Sequence, residues 1–181
     1  SEGSSVRNVK YKDKLVKNYV ELFGGDEGSI RIFKTYISDG RNLAPDDIRY
    51  SRNVCILGMD VVDRLFPFED PISKKIQING LDYYVIGIAE RKGEAFGQSQ
   101  DNYIAIPISN YLEKFSNKWT TLSINIEASS EQTYNKTKDE AIGLMRSIRK
   151  VKPGEDNDFE VVTNAEMIET FSGFTSGIKL F

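Results

Sequence analysis

The sequence predicts an α+β fold, and three observations carry that expectation. Asn79-Gly80 sits between alternating apolar residues, as a two-residue β-hairpin requires. A continuous apolar run, Val54-Cys55-Ile56-Leu57, reads as a strand buried on both faces. In the last third the apolar spacing changes to a helical one, opened by a capping box.

Taken in order, Ser1 to Ser5 read as a flexible end or an expression scar. Val6 to Tyr11 and Leu15 to Phe23 alternate in places and read as strands, the second ended by Gly24-Gly25. Asp26 caps a short helix through about Lys34, and Tyr36 to Gly40 leads into a turn at Asp39-Gly40. After the run at 54–57 and Gly58, a helix carries Val61, Val62, Leu65 and Phe66 before Pro67 stops it. The hairpin from Lys75 to Ile88 pairs Ile78 with Leu81 and Ile76 with Tyr83. It points Tyr84, Ile86 and Ile88 to the opposite face, so both faces are expected to be covered. Glu90 to Asn102, polar and glycine-containing, reads as a loop, and Tyr103 to Ile106 as a strand ended by Pro107.

Leu122 to Ile126 reads as a further strand. Ser129 and Gln132 form a capping box for a helix that carries Tyr134, Ala141, Met145 and Ile148 to about Lys150. Lys152-Pro153-Gly154 is a turn and Phe159 to Val162 a strand. Thr163 and Glu166 form a second capping box, which opens a helix with Met167, Phe171, Phe174 and Ile178 on one stripe. That helix reaches Phe181 with no glycine cap or proline stop, as a chain that continues would, or as a frayed terminal helix would.

Composition narrows the function classes. The 181 residues are 39% hydrophobic, 11% aromatic and 28% charged, which suits one large domain or two small subdomains with a real core. The net charge of -3 gives no electrostatic basis for binding nucleic acid. Cys55 is the single cysteine, so no intrachain disulfide forms, and histidine is absent. That absence removes the commonest general base and the commonest metal ligand together. No run of eighteen apolar residues spans a bilayer.

No catalytic constellation rises above chance. There is no phosphate-cradling G-x-x-x-x-G-K-[ST] or G-x-G-x-x-G pattern. Ser176 and Lys179 fit S-x-x-K spacing without its companion motifs. Glu155, Asp156 and Asp158 are the oxygen-rich cluster closest to a calcium loop, but the twelve-residue pattern is missing, and a solvated acidic turn is the simpler reading. Asp26-Glu27, Asp46-Asp47 and Glu69-Asp70 are sequence neighbours and so do not face each other across a cleft. Cys55 lies in an apolar run and reads as a buried filler. The residues assign no catalytic residue, no cofactor and no metal, and they favour binding, scaffolding or force transmission.

An ordered series of short segments carries a resemblance. It begins with Ile37-Ser38-Asp39-Gly40-Arg41-Asn42-Leu43, Asp47 and Asn53 to Gly58. It continues through Leu65-Phe66, Asp70-Pro71-Ile72, Lys74, Ile76, Ile78 and Gly80 to Tyr84-Val85-Ile86-Gly87-Ile88. Lys92-Gly93, Phe96-Gly97, Asp101 and Tyr103 to Pro107 complete it. Over some seventy residues, this order resembles the periplasmic core domain of MacB-type ABC transporter permeases. Lys152 to Glu155, Asp158-Phe159 and the helix from Thr163 resemble the family's return segment to the membrane. Ser73 stands where the family usually has glycine.

The resemblance implies two subdomains. Residues 1–38 with 118–181 would form a discontinuous porter-like part, and 39–117 an inserted, smaller Sabre-like part. It implies an extracytoplasmic domain of an inner-membrane protein, flanked by transmembrane helices. It also implies a permease homodimer, with a membrane fusion (adaptor) protein and an outer-membrane channel as partners. Such a domain is non-catalytic and passes ATPase-driven movement across the membrane, for efflux, export or lipoprotein release. The contact with a partner is expected in the Glu90–Asn102 loop, at Phe96, Gln98 and Gln100, the alternative being that Phe96 tucks back into its own domain. The alternatives are an independent extracytoplasmic ligand-binding or sensor domain, and an enzyme with an unrecognised site.

Overall fold

The computed structural model describes residues 2–16, 19–32, 34–95, 97–164 and 166. The chain forms two compact units, Ser1–Ile126 and Glu127–Phe181.

The first unit is built on a mixed sheet. Its strands are β1 (Glu2–Val6), β2 (Val9–Tyr11), β3 (Lys14–Val16), β4 (Val20–Gly25), β5 (Ile37–Gly40), β6 (Val54–Leu57), β7 (Lys75–Ile78), β8 (Leu81–Ala89) and β11 (Tyr103–Pro107). They run in the order β1-β4-β11-β6-β8-β7-β2-β3, and β5 also pairs with β8. The β6/β8 and β4/β11 pairs are parallel and the others antiparallel. A separate ribbon, β9 (Glu94–Ala95) with β10 (Gln98–Ser99), lies in the β8–β11 connection. The expected loop therefore contains a short hairpin.

The strands β1–β4, within residues 2–25, belong to the same sheet as β5–β8 and β11. Ser4 and Ser5 are paired with Leu22 and Glu21, so the N-terminal stretch read as a loose end is a strand. Its polar residues concealed this, because the pairing partner lies some twenty residues away. The expected strand from Leu15 to Phe23 is divided into β3 and β4, which stand far apart in the strand order.

Alternation places side chains in two apolar clusters. Cys55 and Leu57 join the larger one, with Val9, Leu22, Val61, Leu65, Ile76, Tyr83, Val85, Ile104 and Ile106. Val54 and Ile56 join the smaller, with Leu43 and Ala89, and Ile48 and Ile86 pack against it. The continuous apolar run is thus explained by burial on both faces. The helix α3 (Met59–Leu65) contributes Val61, Val62 and Leu65 to the larger cluster, as its spacing predicts.

The hairpin keeps the expected register, Ile78 opposite Leu81 and Ile76 opposite Tyr83, with Asn79 and Gly80 both at positive φ. Its face assignment changes partway. Ile88 joins Tyr83 and Val85 in the larger cluster instead of facing away from them. The β6/β8 ladder shifts between Cys55 and Ile56, passing from Val85 to Gly87, and a bulge of this kind inverts the alternation. The Arg41 carbonyl presses on Gly87 there, 2.4 Å from where a Cβ would stand. Tyr84, before the bulge, is exposed. Ser73, at the family's glycine position, has φ 64°, and its N–H donates to the Val85 carbonyl, so a serine holds the turn in a left-handed conformation.

Asp26 caps α1 (Ser29–Ile32), its Oδ1 accepting the N–H groups of Gly28 and Ser29. Two helices were not anticipated. α2 (Pro45–Arg49) starts with proline at its first position, and Asp47 accepts the Ala44 N–H. α4 (Ile108–Lys114) follows Pro107 directly. Its Asn110 is buried, accepts from the Tyr83 hydroxyl and donates to the Ser51 carbonyl and Asn53 Oδ1. Because proline lacks only an N–H that a helix start does not need, Pro107 ends a strand and admits a helix at the same residue.

Leu122, Ile124 and Ile126 are exposed, and among the described residues both they and Phe159 to Val162 lie outside the sheets. In the second unit, a 3₁₀ turn (Glu131–Thr133) opens α5 (Tyr134–Arg149). The capping box is Ser130 with Thr133, one residue later than expected. Lys150 ends the helix at φ 58°. The Thr163–Glu166 box forms as predicted, with Thr163 N–H to Glu166 at 2.8 Å and Glu166 N–H to Thr163 Oγ1 at 3.2 Å. The helix stripe from Met167 to Ile178 lies outside the described residues, as do Ser176 and Lys179.

Candidate functional site

The β8–β11 connection, marked by sequence for partner contact, takes its geometry from its base. Asp101, next to the start of β11, is 1% exposed. Its Oδ1 accepts the Lys92 N–H and its Oδ2 the Gly93 N–H, each at 2.8 Å. Its own N–H donates to Ser99 Oγ at 3.0 Å, and the Gln100 N–H donates to the Gly93 carbonyl at 2.9 Å. Above this base, Ala95 pairs with Gln98 and Glu94 with Ser99.

The base is tied to α3. The Asp60 N–H donates to the Asp101 carbonyl at 3.2 Å. Arg91 donates to Asp63 at 2.6 Å and lies 3.7 Å from Asp60. The Asp63 hydrogen bond, with the nearby carboxylate charges, raises the Arg91 pKa above its ordinary value. Arg64 donates to Asn102 Oδ1 at 2.9 Å, and Asn102 donates to the Tyr19 carbonyl.

Gln98 and Gln100 are exposed, and Phe96 lies outside the described residues. The ribbon presents hydrogen-bonding amides to solvent. Asp101 carries the site's shape, yet spacing gave it no role. A serine two residues before an aspartate, facing a glycine eight residues back, is too short a pattern to separate from chance.

Several of the other carboxylates are engaged structurally. Asp47 is fully buried and accepts from Arg41 at 2.6 and 3.2 Å and from Arg52 at 3.3 Å. Burial acts to raise its pKa, but the hydrogen bonds from Arg41, the Ala44 N–H and Arg52 outweigh that effect and hold it below the ordinary value. Glu69 accepts from Lys12 and Tyr11. Asp158 accepts from Arg149, and Glu155 lies 3.6 Å from Lys152. Among the described residues, no group of three or more metal-ligating side chains converges. Cys55 is buried, which raises its thiol pKa and keeps it protonated.

A depression of about 200 Å³ in the first unit is lined by Asp26, Ser29, Ile32, Ile108, Leu122 and Ile124, among others. That is below the range of cavities enclosing drug-sized ligands. Among the described residues, no helix is long and apolar enough to cross a membrane.

The sequence profile of the MacB-like periplasmic core domain family matches residues 2–144. The macrolide export ATP-binding/permease protein MacB of Chlorobium phaeobacteroides is 29% identical over 95% of this chain. That of Chlorobaculum tepidum is 28% identical over 94%. The chain spans 26% of the length of each. The crystal structure of the periplasmic region of MacB from Actinobacillus actinomycetemcomitans superposes with a TM-score of 0.71 at 20% identity. The match covers 94% of this chain and 73% of that one. The extracellular domain of the noncanonic ABC-type transporter YknZ from Gram-positive bacteria gives 0.66 at 18% identity, over 83% and 74%. These likenesses establish a shared α+β fold, and with the profile match over most of its length the chain belongs to the MacB-like periplasmic core domain family.

Proposed function

We propose that this chain is the extracytoplasmic domain of a MacB-like permease and works as a non-catalytic lever. It would pass movements driven by a separate ATPase domain or subunit to partners outside the membrane, for efflux, export or lipoprotein release. The observation that carries this reading is the match to the periplasmic core domain family over residues 2–144. The continuous sheet supports it. Strands β1–β8 and β11 share one hydrogen-bonded sheet around apolar clusters, and packed cores resist deformation and transmit displacement.

The division of labour is proposed as the resemblance implies it, with residues 1–38 and 118–181 as the porter-like part and 39–117 as the inserted Sabre-like part. The acting assembly would be a permease homodimer, with a membrane fusion protein and an outer-membrane channel as further partners.

The test uses the full-length permease. A disulfide joining the membrane-proximal ends of the two facing domains is expected to stop transport under oxidation and to restore it on reduction. Transport that continues unchanged in the crosslinked dimer would overturn the lever. Cys55 is buried and does not compete for the crosslink.

The contact surface belongs to the same proposal, with Phe96, Gln98 and Gln100 meeting the partner. Reversing the loop charges, with Lys92→Glu and Glu94→Lys, is expected to weaken adaptor capture by the full-length permease about tenfold or more. Unchanged capture would reject this loop as the contact.

A further inference from the structure

The β9–β10 ribbon has two residues per strand, too few to hold a shape in water without outside support. Support converges on one side chain. Each oxygen of the buried Asp101 carboxylate accepts one backbone N–H from the entry of the connection, Lys92 and Gly93, at 2.8 Å. The same residue's N–H is bonded to Ser99 at the exit, and its carbonyl accepts from Asp60 at the start of α3. Asp101 therefore joins the two ends of the connection to each other and both to the sheet-packed helix. We propose that Asp101 is a latch that presets the posture of the 91–100 hairpin and makes it move with the sheet as one piece.

The bonding accounts for a buried charged residue in a stretch whose neighbours are exposed or half-buried. A carboxylate accepts from two converging amides at once, whereas an asparagine has one acceptor oxygen and would turn an N–H group toward the second amide. Arg91, held by Asp60 and Asp63, stakes the segment entering the hairpin to α3 and supports the same posture. A lever needs such a latch, since a contact loop that swings freely would absorb the displacement the sheet delivers. In that respect the latch gives the proposed contact its mechanism and rests on that reading. The geometric claim stands or falls separately.

The experiment is amide hydrogen exchange on this chain, comparing the unchanged sequence with Asp101→Asn. The amides of Lys92, Gly93 and Gln100 are expected to exchange about tenfold faster or more, while those of β6 and β8 keep their protection. Unchanged exchange at Lys92 and Gly93 would overturn the latch. If Asp101→Asn loosens the whole sheet, Ser99→Ala decides, because it removes only the bond to the Asp101 N–H. Faster exchange confined to 98–101 upholds the latch, and exchange that is unchanged or sheet-wide refutes it. Because the readout involves no partner, a failed charge-reversal test would remove the docking reading and leave the latch intact.

Discussion

Replacing Gly40 by alanine is expected to cost about 3–4 kcal/mol, while the same change at Gly80 costs about 1 kcal/mol. Both glycines have left-handed backbones, φ 79° at Gly40 and 83° at Gly80, so the conformational penalty is nearly common to the two. Their surroundings differ. At Gly80, the hairpin tip, an added Cβ meets nothing within 4 Å. At Gly40 it would stand 2.3 Å from the Ile86 carbonyl, 2.8 Å from Ile72 Cδ1 and 3.0 Å from Gly87 Cα. The first and last are backbone atoms and have no rotamer to escape into. Relief requires β5 to separate from β8 beside the bulge, where Arg41 N–H also bonds Ile86. Urea unfolding followed by circular dichroism measures the difference. Equal losses at the two positions would mean that the β5–β8 approach relaxes freely.

The second large effect is expected at Asp47. Asp47→Ala removes a fully buried carboxylate that accepts hydrogen bonds from Arg41, Arg52 and the Ala44 N–H, and is expected to cost about 2–4 kcal/mol. The figure stays below the full penalty for breaking a buried pair. Both guanidinium groups are about half exposed, so water takes up part of their lost pairing. The pH dependence has a defined sign. The folded-state pKa of Asp47 is lowered, so its contribution is complete above the unfolded value of about 3.9 and disappears as pH falls through the lower folded value. The stability gap between the unchanged chain and Asp47→Asn should therefore be constant near neutrality and narrow only in acid. A gap that instead widens on acidification would contradict the proposed charge state.

What the sequence settled by itself was local. Asn79-Gly80 dictated a hairpin and its register, because only residues tolerant of positive φ close that turn. The run at 54–57 announced a two-faced strand, and the spacing of Val61, Val62 and Leu65 announced a helix. These signals lie within a few residues of the structures they specify. The resemblance, spread over many such segments, also indicated the family to which the chain belongs.

Tertiary structure decided whatever depends on a partner distant in sequence. Polar Ser4 and Ser5 are strand because Leu22 and Glu21 lie beside them, whereas the well-patterned Leu122, Ile124 and Ile126 lie outside the described sheets. Alternation fixes which side chains share a face, but only the neighbouring strand decides whether a ladder forms and where a bulge reverses the faces, as it does before Ile88. The candidate site follows the same division. Gln98 and Gln100 were legible as polar loop residues, but the role of Asp101 comes from folding, which buries its carboxylate and brings it within 2.8 Å of two backbone amides.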